Sequence, residues 1–269
     1  MKMKKILLIA AASLFMFACG NENATTCKED CKKECCKNEG DKKCKKDCKK
    51  ACCTKGDEKK GCEKDCKKEC CANKVATNME IGTMNPSLDT KLKDISGEEF
   101  HLENLGKKNG TLLIFSCNTC PFVVGRANGE TEGWQNRYND IQALADANEI
   151  GFALINSNEA KRNGDDSFDE MVKHAADNEY ANIKYLVDTK SEVANEFNAK
   201  TTPHVYLFNS DHKLVYTGAI DDNVDKKSEV KEHWLNDAMN NLAKGTTIEP
   251  AVTKNLGCSI KRVKKEEEK

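Results

Sequence analysis

Three zones of hydrophobic patterning divide the chain. Residues 6–18 read ILLIAAASLFMFA and are apolar except for Ser13. Residues 27–74 carry cysteine and charge, with almost no other apolar side chain besides Ala51 and Ala72. From residue 75 onward, compact apolar runs alternate with amphipathic stretches. Residues 111–115 (TLLIF) and 151–155 (GFALI) predict buried strands. Tyr138, Ile141, Leu144 and Ala145 have helical spacing within 136–148. Helices are also expected over 167–178, 191–197 and 228–243, and a short strand over 185–187. The runs at 205–208 and 214–216 flank residues 209–213, a hairpin signature. Strands alternating with helices, then a hairpin and a helix, predict an α/β sandwich around a central mixed sheet. That domain is expected over residues 75–263, before a charged tail at 264–269.

The first zone reads as an address. Lys2, Lys4 and Lys5 precede the apolar run, the pattern of a secretory signal over residues 1–18. The run is too short to span a bilayer, which needs about 20 apolar residues. Its end, Phe17-Ala18-Cys19-Gly20, resembles a bacterial lipobox, although Met16 stands where Leu is commonest. That resemblance implies a diacylated Cys19 at the mature N-terminus and a tether over residues 19–26. Ordinary cleavage near Ala18 is the alternative, leaving Cys19 a plain thiol. Either reading exports the protein, and the expected location is the cell envelope, with membrane contact through a lipid anchor only.

The second zone is a triple repeat, C-x3-C-x3-C-C, at Cys27, Cys31, Cys35 and Cys36, then from Cys44 to Cys53, then from Cys62 to Cys71. Twelve of the 16 cysteines lie here. Without an apolar core, fixed structure in residues 27–74 has to come from cross-links or metal. Three uses stay open: a disulfide-stapled stalk, thiolate binding of Zn²⁺ or Cu⁺, and a dithiol reservoir exchanging with the downstream domain. Charge sharpens the division. The whole chain has a formal net charge of −1, which argues against a nucleic-acid partner. Residues 27–74 nonetheless carry 17 lysines against 11 acids, while 75–269 carry 23 basic against 32 acidic residues. A basic cysteine-rich segment is joined to an acidic globular one.

The third zone holds the candidate chemistry. Ser116-Cys117-Asn118-Thr119-Cys120-Pro121 follows the first buried strand. A C-x-x-C at a strand-to-helix junction is a redox arrangement, because two intervening residues let a disulfide close within one helical turn. A helix starting at Cys117 favours its thiolate, so Cys117 is expected to attack and Cys120 to resolve. The structural alternatives are half a zinc site or an inert disulfide. Only Cys258 remains in the domain as a further sulfur ligand, so a four-cysteine zinc site is not available from it alone. No phosphate-cradling glycine loop is present, so no organic cofactor is implied.

Further along, Thr201-Thr202-Pro203-His204 precedes the predicted strand at 205–208. With the C-x-x-C, this pair resembles the thioredoxin superfamily. The resemblance implies a cis Pro203 facing the cysteines and a Thr202 backbone offered to an extended substrate. It narrows through 115–123 (FSCNTCPFV), 155–158 (INSN), 202–204 (TPH), 216–222 (YTGAIDD) and 257–261 (GCSIK), in that order. These resemble the peroxiredoxin-like branch of the AhpC/TSA redoxins, of C-N-x-C-P type. True peroxiredoxins carry Thr three residues before the peroxide-reactive cysteine, and Ile114 stands there.

The expected function is an exported thiol–disulfide oxidoreductase acting on protein or small-molecule disulfides and thiols. A thiol peroxidase and a metal-handling lipoprotein using the repeats are the alternatives. Cys258 is open between a third redox cysteine, a buried thiol and a partner for the repeat. Arg126 reads as a solvated loop charge, His204 as a structural histidine, and Asp221-Asp222 as a turn.

Overall fold

The computed structural model describes residues 79–263 apart from Ala181. Cys19, the cysteine repeat and the charged tail lie outside the described residues, as do the expected signal segment and tether.

In chain order the elements are β1 (Lys91–Asp94), β2 (Glu99–His101), β3 (Gly110–Ser116), α1 (Pro121–Val124), α2 (Tyr138–Ala147), β4 (Ile150–Asn156), α3 (Phe168–Asp177), β5 (Lys184–Val187), α4 (Glu192–Glu196), β6 (Thr201–Thr202), β7 (His204–Phe208), β8 (Leu214–Gly218), α5 (Trp234–Lys244) and β9 (Cys258–Ser259). Seven strands form one sheet in the order β2-β1-β5-β4-β3-β7-β8, and β6 pairs with β9 in a second sheet. β3 runs parallel to β4, and β4 parallel to β5. β7 runs antiparallel to both β3 and β8. This is the mixed sheet of a thioredoxin-like sandwich.

β3 and β4 are buried at every position, as their unbroken apolar runs predict. Alternation along β3 then feeds two cores. Leu112 and Ile114 pack with Trp134, Tyr138, Leu235, Met239 and the two cysteines of the C-x-x-C. Leu113 and Phe115 pack on the opposite face with Phe197, Tyr206 and Phe208. Phe197 sits edge-on to Phe115 at 5.4 Å between ring centroids, and to Tyr206 at 5.2 Å. Gly151 is required where β4 passes the loop before β3, since a Cβ there would meet the Leu105 carbonyl oxygen at 1.7 Å.

Most predicted elements sit where the pattern places them. Ser167 caps α3, its side chain accepting from the Glu170 N–H. The expected helix over 228–243 starts later, at Trp234. Asp222 explains the delay. Its carboxylate accepts the backbone N–H groups of Lys231 and Glu232 at 2.9 and 3.1 Å, holding that segment outside a helix. The β1–β2 hairpin and the β6–β9 pairing have no counterpart among the predicted elements.

Candidate active site

β3 delivers the C-x-x-C to the end of the sheet. Ser116 is its last residue, and Cys117 and Cys120 follow at 1% and 3% exposure. Helix α1 begins at Pro121, with Cys120 as its N-cap. The N–H groups of Val123 and Val124 donate to the Cys120 carbonyl at 2.7 and 2.8 Å. The sequence reading starts this helix at Cys117. The structure starts it one turn later, because proline has no N–H and a φ suited to the first helical position. The Phe122 N–H then supports Cys120, while the Thr119 N–H supports Cys117.

Residues far apart in sequence close around the two sulfurs. The Thr202–Pro203 peptide bond is cis. The Thr202 hydroxyl lies 3.2 Å from Cys117 Sγ, and the Thr202 carbonyl accepts from Cys120 Sγ at 3.1 Å. β9 runs antiparallel to β6, with Cys258 opposite Thr202. The Cys258 N–H points at Cys120 Sγ, 3.3 Å away. Cys117, Cys120, Thr202, Pro203 and Cys258 thus converge on one site. All three thiols are free, and Cys258 is the partly exposed one. The backbone edge expected to receive an extended substrate, at Thr202, is already paired with the chain's own β9.

The electrostatics single out Cys120. Its thiol is pushed down to about 5, first by the hydrogen bond from Cys117, against burial, then by the Cys258 thiol and the N–H groups of Cys258 and Phe122. In the neutral form the Cys120 proton is donated to the Thr202 carbonyl. Cys117 moves well up, because it keeps its proton to donate to Cys120, and because burial and the Asp166 charge disfavour a second anion. Cys258 rises to about 11, through burial and its hydrogen bond to Cys120. The three thiols are thus coupled, and the shifts favour one anion in the reduced site, with Cys120 drawn down and Cys117 and Cys258 pushed up.

Beneath the C-x-x-C lies a buried polar cluster. Asp166 is fully buried. Its carboxylate accepts the Asn118 N–H and the Asn156 and Asn158 side-chain amides at 2.8, 2.8 and 3.0 Å. The Tyr185 hydroxyl donates to Asn118 Oδ1 at 2.9 Å and accepts from Asn156 at 3.1 Å. The Asn118 backbone, inside the C-x-x-C, is thereby tied to β4 and β5. Asn156 and Asn158 belong to an expected motif. Asp166 carries no such signal, since Asp165-Asp166 reads as ordinary loop acids. A cleft of about 270 Å³ opens beside Asn118 and Thr119, walled by Asp165, Glu170, Lys173, His174 and Asp177.

Other candidates have structural roles. His204 is buried against Tyr206 and Thr217, 3.3 Å from each hydroxyl, and burial lowers it to about 3. Arg126 is half-exposed and loosely paired with Glu130 at 4.0 Å. Asp221 is more than a turn residue. It is buried, accepts from Trp134 Nε1 at 2.7 Å and lies 3.0 Å from Arg137 Nε. Ile114 is wholly buried in the core, so the hydroxyl at Cys117 is that of Thr202. Among the described residues no group of three or more His, Cys, Asp or Glu side chains is placed to hold a metal.

No protein-family model matches the chain, and no curated protein matches it. Solved structures do. An uncharacterized conserved protein from Geobacillus kaustophilus is 29% identical with a TM-score of 0.62, covering 71% of this chain and 96% of its own. A hypothetical protein from Sinorhizobium meliloti is 24% identical with a TM-score of 0.60, covering 70% and 97%. A peroxidoxin from Mycobacterium tuberculosis is a remoter match, 16% identical with a TM-score of 0.44, covering 62% and 97%. The chain shares its α/β fold with the Geobacillus and Sinorhizobium structures.

Proposed function

We propose that the chain is a thiol–disulfide oxidoreductase whose working dithiol is Cys117 and Cys120. One observation carries this reading: two free, buried thiols of a C-x-x-C meet the cis Thr202–Pro203 peptide, and Thr202 touches both sulfurs. The thiolate is the nucleophile of exchange. Cys120 attacks a substrate disulfide, and Cys117 displaces the substrate from the mixed disulfide, leaving a Cys117–Cys120 bond. The sequence reading has Cys117 attack and Cys120 resolve; the downward shift at Cys120 and the upward one at Cys117 favour the opposite order. Thr202 and Pro203 shape the site. Thr202 touches both sulfurs, and the hydroxyl on Cys117 holds it in reach of Cys120. The substrates are disulfides and thiols of proteins or small molecules, and the polar cleft beside Asn118-Thr119 suits a hydrophilic peptide segment.

The reading extends to location. The charged start, the apolar run and Cys19 support export and lipid anchoring at the cell envelope. Among the described residues no helix is long and apolar enough to cross a membrane. The mass of the N-terminal peptide tests the anchor: diacylglycerol on Cys19 is expected, and an unmodified Cys19 contradicts it. For the chemistry, the full-length protein should catalyse reduction of insulin disulfides by dithiothreitol. Cys117→Ser and Cys120→Ser variants should each fall to the uncatalysed rate. Full activity in Cys120→Ser overturns the reading. Rapid peroxide consumption with no insulin activity would favour the peroxidase instead.

A further inference from the structure

We propose that Cys258 is the third thiol of the exchange site, and that the disulfide moves between Cys117–Cys120 and Cys120–Cys258. This rests on the exchange chemistry proposed above and deepens it. Both thiols of the C-x-x-C are enclosed, at 1% and 3% exposure. Cys258 is the partly exposed sulfur. Its main chain is fixed against Cys120: its N–H donates to Cys120 Sγ at 3.3 Å, and its strand is held in register with Thr201–Thr202. The Ile260 N–H donates to the Lys200 carbonyl at 2.9 Å and closes the far end of that pairing. Gly257 permits the approach, because a Cβ there would meet the Thr202 carbonyl oxygen at 2.4 Å. The strand lies along the Thr202 backbone edge, where an extended substrate would pair, and it presents a thiol to Cys120.

The step balances without any outside reagent. Starting from the Cys117–Cys120 disulfide, Cys258 loses its proton to water and its sulfur attacks Cys120 Sγ. The Cys120–Cys258 bond forms, the Cys117–Cys120 bond breaks, and Cys117 leaves with the electron pair and takes up a proton. The protein as a whole is neither oxidised nor reduced. The influences that raise Cys258 in the reduced site include its hydrogen bond and repulsion from the Cys120 thiolate. Both vanish once Cys120 is in a disulfide, so the attacking sulfur ionises more readily at the stage where it is needed. The result carries the oxidising equivalent from an enclosed pair to a sulfur that solvent reaches, where a dithiol partner can attack Cys258.

The test uses the full-length protein equilibrated in glutathione redox buffers, quenched in acid, blocked with N-ethylmaleimide and digested without reduction. Mass spectrometry then quantifies the linked peptides. The expected result is a Cys120–Cys258 link alongside Cys117–Cys120 in the wild type. It should become the dominant link in Cys117→Ser, and fall sharply in Gly257→Val while Cys117–Cys120 persists. A Cys117–Cys120 link that forms and reverses, with no Cys120–Cys258 link in either the wild type or Cys117→Ser, overturns the inference and leaves the proposed function standing. Cys258 bonded to a repeat cysteine in place of Cys120 overturns it equally. Absence of both links sinks the inference and the function together, whereas a Cys120–Cys258 link without insulin turnover sinks only the function.

Discussion

Asp166 and Asp221 are both buried carboxylates on the same domain, and they are satisfied in different ways. Asp221 has a cation against it, Arg137 at 3.0 Å, together with the Trp134 indole. Asp166 accepts from three neutral N–H donors, one of them the backbone of Asn118 inside the C-x-x-C. Arg162 reaches the main-chain carbonyl of Asp166 at 2.7 Å and not its carboxylate. A charge cancelled inside its own pocket acts as structure. A charge met by neutral dipoles still acts at a distance, and the Asp166 charge contributes to keeping Cys117 protonated. Burial alone does not reveal which carboxylate belongs to the chemistry; the type of donor does.

The comparison is broken most severely at Arg137. An Arg137→Leu variant leaves Asp221 buried without its cation, and should lose about 3–5 kcal/mol of unfolding free energy by urea denaturation. Its thiol chemistry should persist in the fraction that remains folded. Asp166→Asn should cost less, about 1–3 kcal/mol, because an amide keeps an acceptor but sets its own N–H groups against the donors. This variant should alter the thiols: with the charge gone, Cys117 ionises at lower pH, readable as a downward shift in its thiolate absorbance. If Asp166→Asn leaves both thiols unmoved, the contrast between the two acids fails. Tyr185→Phe removes one hydroxyl between Asn118 and Asn156 and should cost about 1 kcal/mol, measured by the same denaturation.

The fold was legible where burial is continuous. The runs at 111–115 and 151–155 announce β3 and β4, and α3 carries its own N-cap in Ser167. β6 and β9 were not legible, since two-residue strands leave no periodic signal and exist here by tertiary pairing. The α5 start was misplaced because a carboxylate nine residues upstream, Asp222, holds the Lys231 N–H. In the site, C-x-x-C and Thr-Pro spacing marked Cys117, Cys120, Thr202 and Pro203. The spacing did not say which sulfur carries the charge. That depends on where the helix begins and on a backbone N–H from residue 258, a contact spanning most of the domain.

The location of the thiolate is the most direct test. Cys120 sits near 5 in the folded reduced state, against 9.0 for an unperturbed thiol, so the folded form favours the thiolate. This contribution to reduced-state stability is complete above the ordinary thiol value and is lost as pH falls toward 5. The decisive measurement is thiolate absorbance at about 240 nm against pH for the reduced full-length protein, Cys117→Ser and Cys120→Ser. The wild type should show a step with a midpoint near 5. That step should persist in Cys117→Ser, whose hydroxyl still donates, and vanish in Cys120→Ser. A low-pH step that survives in Cys120→Ser and disappears in Cys117→Ser would contradict the account.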